Sequence, residues 1–244
     1  MPRREIFFAP TGQFTDEEVT ITGEEFRHLA QALRHKAGDR VTVVNGAGLA
    51  AIESEIVEMG RGYARVRIFK RLRRMGEPFT QVTLAQSVPK GTRFDWVIEK
   101  GTELGVSVFI PLLCERSEVV PGAGKIARWR RLALAAMKQS CRSVWPAVNA
   151  PMLLAELLDK IRDYDVTLLA EEESSDPFRD GYAATPPARV LLLVGPEGGF
   201  SPTELQAARE AGCKLWSLGP RRLRSDTAGL VAVTKLLAAH GQLS

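Results

Sequence analysis

The stretch at 188–205, ARVLLLVGPEGGFSPTEL, constrains this chain more than any other. Its first half is apolar at nearly every position. A strand sustains that only where helices cover both faces of a parallel sheet. Its second half opens a helix: Ser201 supplies an N-cap, Pro202 falls in the first turn, and Glu204 is the acid of a capping box. Between the halves stand Gly195, Gly198 and Gly199, set around Pro196 and Glu197. Glycine lets a ligand come close to the backbone, and in open α/β sheets ligands sit at the carboxyl ends of strands.

The same alternation runs from Gln81 onward. QVTLAQSV, VSVFIPLLC, DVTLLA and CKLWSLG read as further strands. GTRFDWVIEKGTEL, stopped by Gly105, KIARWRRLALAAMKQSCR and DTAGLVAVTKLLAAH read as helices, and the helix opened at Ser201 ends at Gly212. Strands and helices in turn predict an α/β domain with a largely parallel sheet. The first seventy residues differ. IFFA, EVTIT, RVTVVNG, AAIESEIVEM and GYARVRIFK read as strands, with one helix through EFRHLAQALRH that Thr22 and Glu25 are placed to cap as a box. RLRRMGEPF interrupts the pattern, so the expected division is a small β-rich domain over 1–73 and an α/β domain over 74–244.

The 244 residues contain no apolar run of the ~20 needed to span a bilayer, and MPRREIFFAP is too short of apolar residues for a signal peptide. The three cysteines, Cys114, Cys141 and Cys213, lack CxxC spacing, and the three histidines are scattered. That pattern predicts no disulfide framework and no metal site, and suits a reducing cytoplasm. The net charge is only +4, yet RGYARVRIFKRLRR at 61–74 carries seven basic side chains and no acid. Such a run is either a solvated strand edge or a polyanion-binding surface.

Three strand ends carry unusual loops: LLAEEE, GPEGGF and LGPRRLRSDTA. Together they predict a shared pocket. Neither a P-loop nor a dinucleotide fingerprint occurs. Glu197 would repel a pyrophosphate but suits a ligand with hydroxyls or a cation. S-adenosylmethionine, with its adenosine, ammonium and sulfonium, is one candidate among several.

LLLVGPEGGFSPTELQAAREAG followed by LGPRRLRSDTAGLVAV resembles the closing signature of the RsmE family, knotted SPOUT-class methyltransferases of small-subunit ribosomal RNA. HLAQALRHKAGD, PKGTRFDWVIEKGTELGV, ERS at 115–117 and KQSCR at 138–142 agree in the same order. Two departures are visible: Asp226 stands where the family more often has Glu, and LAAM replaces an acidic pair before Gln139.

The resemblance implies a PUA-like β-barrel that holds RNA, then an α/β domain with a SPOUT-type trefoil knot, a feature nearly absent from proteins at large. It implies a homodimer that needs neither membrane nor metal and uses S-adenosylmethionine to methylate one uridine at N3 in 16S ribosomal RNA, within the assembled small subunit. The cofactor walls would be Leu169, Ala170 and Glu171, then Val194, Gly195, Pro196, Glu197, Gly198 and Gly199, then Ser217, Leu218 and Gly219, closed by Leu223, Arg224, Thr227 and Ala228. Arg224 and Arg221 are the candidates to stabilise a uridine anion, with Arg222 and Arg142 behind them. Glu197 or Asp226 would take the proton. RNA contacts are expected at Arg4, His28, Arg34, Arg65, Arg67, Arg71 and Arg142. Two rivals stay open: a SPOUT-class ribose 2'-O-methyltransferase acting on ribosomal or transfer RNA, and a non-catalytic RNA-binding assembly factor. A dinucleotide-dependent oxidoreductase is disfavoured by the missing fingerprint.

Overall fold

The computed structural model describes residues 5–172, 174 and 186–243, and the chain forms two compact units. The first comprises Met1–Glu77 with Met137–Trp145, the second Pro78–Ala136 with Pro146–Ser244. Arg4 lies outside the described residues.

The first unit contains β1 (Ile6–Phe8), β2 (Glu18–Thr22), α1 (Gly23–Arg27), β3 (Arg40–Val44), β4 (Leu49–Met59), β5 (Tyr63–Arg67) and β6 (Lys70–Arg73). The strands form one sheet in the order β1-β3-β4-β5-β2, with β6 on β4. Only β1 and β3 pair in parallel. Period-two alternation buries Ala64 and Val66 of β5 and leaves Arg65 and Arg67 exposed. Phe7, Ile21, Val43, Ile56 and Val66 form the core, with Leu29 packed among them.

The capping box expected at Thr22 does not form. The Thr22 hydroxyl accepts a hydrogen bond from Gln13 Nε2 at 2.8 Å, while the Glu25 carboxylate accepts the Phe8 N–H at 3.0 Å and pairs with Lys138. Tertiary partners outcompete the local motif. The helix is accordingly short, five residues followed by a π-helical turn at His28–Ala32.

The second unit contains β7 (Gln81–Ser87), α2 (Arg93–Leu104), β8 (Val106–Leu113), α3 (Ala123–Gln139, whose last residues belong to the first unit), β9 (Ala147–Val148), β10 (Met152–Leu153), α4 (Leu154–Leu158), β11 (Val166–Ala170), β12 (Arg189–Val194), α5 (Pro202–Ala211), β13 (Lys214–Trp216) and α6 (Ser225–Ala239). All seven strands run parallel, in the order β10-β8-β7-β12-β11-β13 with β9 on β8. This is the expected α/β arrangement. Val190–Val194 are all buried, as the unbroken apolar run requires. Ser201 caps α5 with both halves of the box: its hydroxyl accepts the Glu204 N–H at 3.2 Å, and Glu204 accepts the Ser201 N–H at 2.8 Å.

The strand order reverses between β7 and β12, where doubly wound sheets open a crevice. β13 lies beyond β11 at the sheet edge, yet α6 starts at β7, where Gln86 Nε2 donates to the Ser225 carbonyl at 2.9 Å. The segment 217–224 therefore crosses the carboxyl ends of β11 and β12. Gly229 packs closely on the same side chain: a Cβ there would lie 2.0 Å from Gln86 Oε1, so the amide would have to move.

Candidate functional site

A cleft of about 720 Å³ opens at those strand ends, within the range of small-molecule sites. Ala170, Glu171 and Glu172 form one wall after β11. The turn from Val194 to Phe200 after β12 forms the second. Leu218, Gly219 and Arg221–Ser225 form the third, and Ala228 closes it from α6. Local chemistry shapes the glycine turn. Gly199 sits at φ 70°, the left-handed region that glycine enters freely, and its N–H closes the turn on the Pro196 carbonyl at 2.9 Å. The Phe200 ring lies over Gly195, where a Cβ would meet it at 2.9 Å. Among the described residues the N–H groups of Gly198 and Phe200 meet no acceptor in the fold.

Three expected cofactor residues do not line the cleft. Leu169 is fully buried in the hydrophobic cluster of the sheet, because alternation along β11 leaves the next residue, Ala170, at the cleft. The Ser217 hydroxyl accepts from its own loop, the Gly219 N–H at 3.4 Å, and the Ser217 carbonyl accepts from Lys235 at 3.3 Å. Thr227 is exposed on α6 away from the cavity wall.

The cleft also gathers residues beyond the three expected loops, Arg93 at the start of α2, Arg116 after β8 and Leu205 on α5, and within those loops it adds Glu172, Phe200 and Ser225. Five arginines and three glutamates face it. Arg93 pairs with Glu197 at 2.8 Å, and Arg222 with Glu172 at 3.4 Å. Arg116 Nη1 donates to the carbonyls of Gly198 at 2.8 Å and Phe200 at 3.5 Å. Arg221 and Arg224 are exposed, and their guanidiniums have no hydrogen-bond or ion-pair partner among the described residues. At the first turn of α6, Asp226 Oδ1 and Ser225 Oγ are buried without a partner among the described residues.

A family model described as an RNA methyltransferase domain matches residues 76–237, and one described as an RNA methyltransferase PUA domain matches residues 21–69. The chain is 32% identical over 242 residues to ribosomal RNA small subunit methyltransferase E of Bacillus subtilis, with 94% of each chain covered. It is 32% identical over 229 residues to the protein of that name from Synechocystis, covering 93% of this chain and 75% of that one. The chain belongs to the RsmE family. Its fold also superposes on a ribosomal RNA small subunit methyltransferase E from Neisseria gonorrhoeae, solved bound to S-adenosyl methionine. That match has a TM-score of 0.85 and 29% identity over 96% of this chain and 97% of the other.

The RNA contacts expected from the RsmE resemblance fall differently in the first unit. His28, Arg34, Arg65, Arg67 and Arg71 are exposed. Arg65 is shared between Glu18, at 3.5 Å, and Glu58. Arg71 is held by the Thr15 carbonyl and, at 3.7 Å, by Asp16. Arg67 has no ion pair among the described residues. Arg142 requires a correction. It is 1% exposed, and its Nη2 donates to Glu77, also 1% exposed, at 2.6 Å. Glu77 accepts further hydrogen bonds from the Ser143 and Val144 N–H groups. A guanidinium so buried and bonded is a structural clasp of the first unit and not a surface for RNA or uracil.

Among the described residues no group of His, Cys, Asp and Glu is placed to hold a metal ion, and no helix is long and apolar enough to cross a membrane.

Proposed function

We propose that this chain transfers the methyl group of S-adenosylmethionine to N3 of one uridine in 16S ribosomal RNA of the small subunit. One observation carries this reading: a cleft joins a glycine turn with N–H groups uncommitted among the described residues to two guanidiniums, Arg221 and Arg224, that no described side chain neutralises. The residues fit the cofactor. The turn is bare of side chains where a flat base would pass, and Glu171 and Glu197 offer carboxylates to hydroxyls and to a cation. Ala170, Gly195, Gly198, Gly199, Leu218, Gly219, Leu223 and Ala228 would hold it. When bound, S-adenosylmethionine supplies an electrophilic methyl carbon.

Uridine N3 is protonated at neutral pH, so the protein must align it and help the proton leave. Alignment supplies up to ~7–11 kcal/mol of the barrier in favourable cases. Arg221 and Arg224 would stabilise the charge that develops on the uracil carbonyls. Glu197, held in place by Arg93, would accept the proton; Asp226, whose Oδ1 has no partner among the described residues, is the alternative.

The organisation belongs to the same proposal. Residues 1–73 would be a PUA-like barrel that grips RNA, and 74–244 the methyltransferase domain. The passage of segment 217–224 across the ends of β11 and β12 supports a trefoil knot. Exposed Trp96, at 54%, and Val120, at 72%, supply apolar surface for a homodimer. The test is nucleoside mass spectrometry of 16S RNA treated with the purified protein and the cofactor. The reading requires 3-methyluridine; a 2'-O-methylated nucleoside, or no modification, rejects it.

A further inference from the structure

The glycine turn does not hold its shape alone. Arg116, in the segment that leaves β8, binds the carbonyls of Gly198 and Phe200, two residues apart. The neighbouring Glu115 N–H donates at 2.8 Å to Glu204, the acid of the α5 capping box. The segment is itself tethered: the Cys114 N–H donates to Ser117 Oγ at 2.8 Å, and that hydroxyl meets Ser87 Oγ, at the end of β7, at 2.9 Å. β8 and β12 flank β7 on opposite sides, so these bonds bridge the point where strand order reverses.

We propose that Glu115–Ser117 is a positioning element for the cofactor loop, with Arg116 holding the Gly198 and Phe200 carbonyls so that the turn keeps its shape at the cleft. The proposal rests on the cofactor reading above. One guanidinium nitrogen, Nη1, serves both carbonyls, with a tight bond to Gly198 at 2.8 Å and a long one to Phe200 at 3.5 Å, so the contact to Gly198 carries most of the hold. Arg116 acts through the backbone and needs no contact with the methyl group or the uracil.

The experiment compares wild type, Arg116→Ala and Arg116→Lys by calorimetry with S-adenosylmethionine, by amide hydrogen exchange of the free proteins, and by steady-state kinetics. In Arg116→Ala, cofactor affinity and the KM for cofactor should worsen about 10–100-fold, the loss of charge-assisted bonds. Exchange at 197–201 should accelerate, while kcat at saturating cofactor stays near wild type. Arg116→Lys should recover part of the affinity and guards against a variant that fails to fold. Wild-type affinity and unchanged exchange in Arg116→Ala overturn the proposal. So does a fall in kcat alone. A wild-type protein that binds no S-adenosylmethionine overturns the cofactor reading instead, and the exchange measurement still decides whether Arg116 orders the turn.

Discussion

Glu197 Oε1 lies 2.8 Å from Arg93 Nη1, so the carboxylate of the glycine turn is met by a cation from the far side of the strand-order switch. The pair ties the expected proton acceptor to a residue 104 positions earlier in the chain. If Glu197 takes the N3 proton, Glu197→Gln lowers the single-turnover rate about 10²–10⁴-fold, the range for general acid–base catalysis. Cofactor affinity should fall far less, since Glu171 remains as the second carboxylate of the cleft. Arg93→Ala should cost less, and the double variant should be no slower than Glu197→Gln, because residues acting as a unit are not additive. Full activity in Glu197→Gln passes the role to Asp226.

Arg224 precedes α6, and its guanidinium meets no hydrogen-bond or ion-pair partner among the described residues. Arg224→Lys keeps the charge and loses the fork. Turnover should fall about 10²–10³-fold, the scale of one lost oxyanion donor, with S-adenosylmethionine affinity little changed. Weakened cofactor binding at an intact single-turnover rate would make Arg224 a cofactor residue and leave the uracil to Arg221.

A Cβ at Gly198 would meet its nearest neighbour, Arg116 Cδ, at 3.5 Å, an ordinary contact, and Gly198 is not among the residues with positive φ. Gly198→Val should therefore fold normally while its branched side chain obstructs the turn. Thermal denaturation close to wild type, together with lost S-adenosylmethionine binding in calorimetry, is the expected result. A variant that binds normally would place the cofactor elsewhere.

Replacing Arg65, Arg67 and Arg71 with glutamine should weaken RNA binding and reduce the log–log salt slope by roughly one unit per lost phosphate contact. Arg65 and Arg71 are already shared with acidic neighbours, so Arg67→Gln alone should produce most of the change. Filter binding across a salt series measures this. An unaltered slope would make the strip a solvated edge.

Burial first, then the nearby Glu204 carboxylate, pushes the Cys114 thiol up to about 12, against a smaller opposing bond from Ser117. Burial alone lifts Cys213 to about 11. Cys141 is exposed. An aromatic disulfide reagent at pH 8 should modify Cys141 quickly and the other two only on unfolding. The stability linkage has one sign: raised thiols make no difference below their ordinary value of 9.0 and weaken the fold as pH rises from there toward 11 and 12. Denaturant midpoints of wild type should fall through that window, and less so in Cys114→Ala. A flat profile would contradict the assignment.

The parts of the site written as local chemistry were legible in the chain. An unbroken apolar run, a proline-bearing capping box and glycine-rich strand ends place the β12 loop and its two companions without any tertiary information. Side-chain direction was not legible. Arg93 and Arg116 stand in stretches that matched the family, yet nothing local says that an arginine after β7 and another after β8 turn toward a loop eighty or more residues later. Arg142 shows the opposite failure, a cation read as surface that Glu77 draws into the interior. The box at Thr22 failed because partners distant in sequence claimed both of its side chains.

The crossing of segment 217–224 over the strand ends also sets a birth order for the site. As the chain is synthesised, its amino-terminal unit can fold first, and β7 through β12 emerge before the residues that span them. The glycine turn then exists as one bare wall with no opposite side. Only when α6 has docked against Gln86 does a cleft exist at all. A growing chain is therefore unable to take up its cofactor until residues 217–239 have emerged and docked.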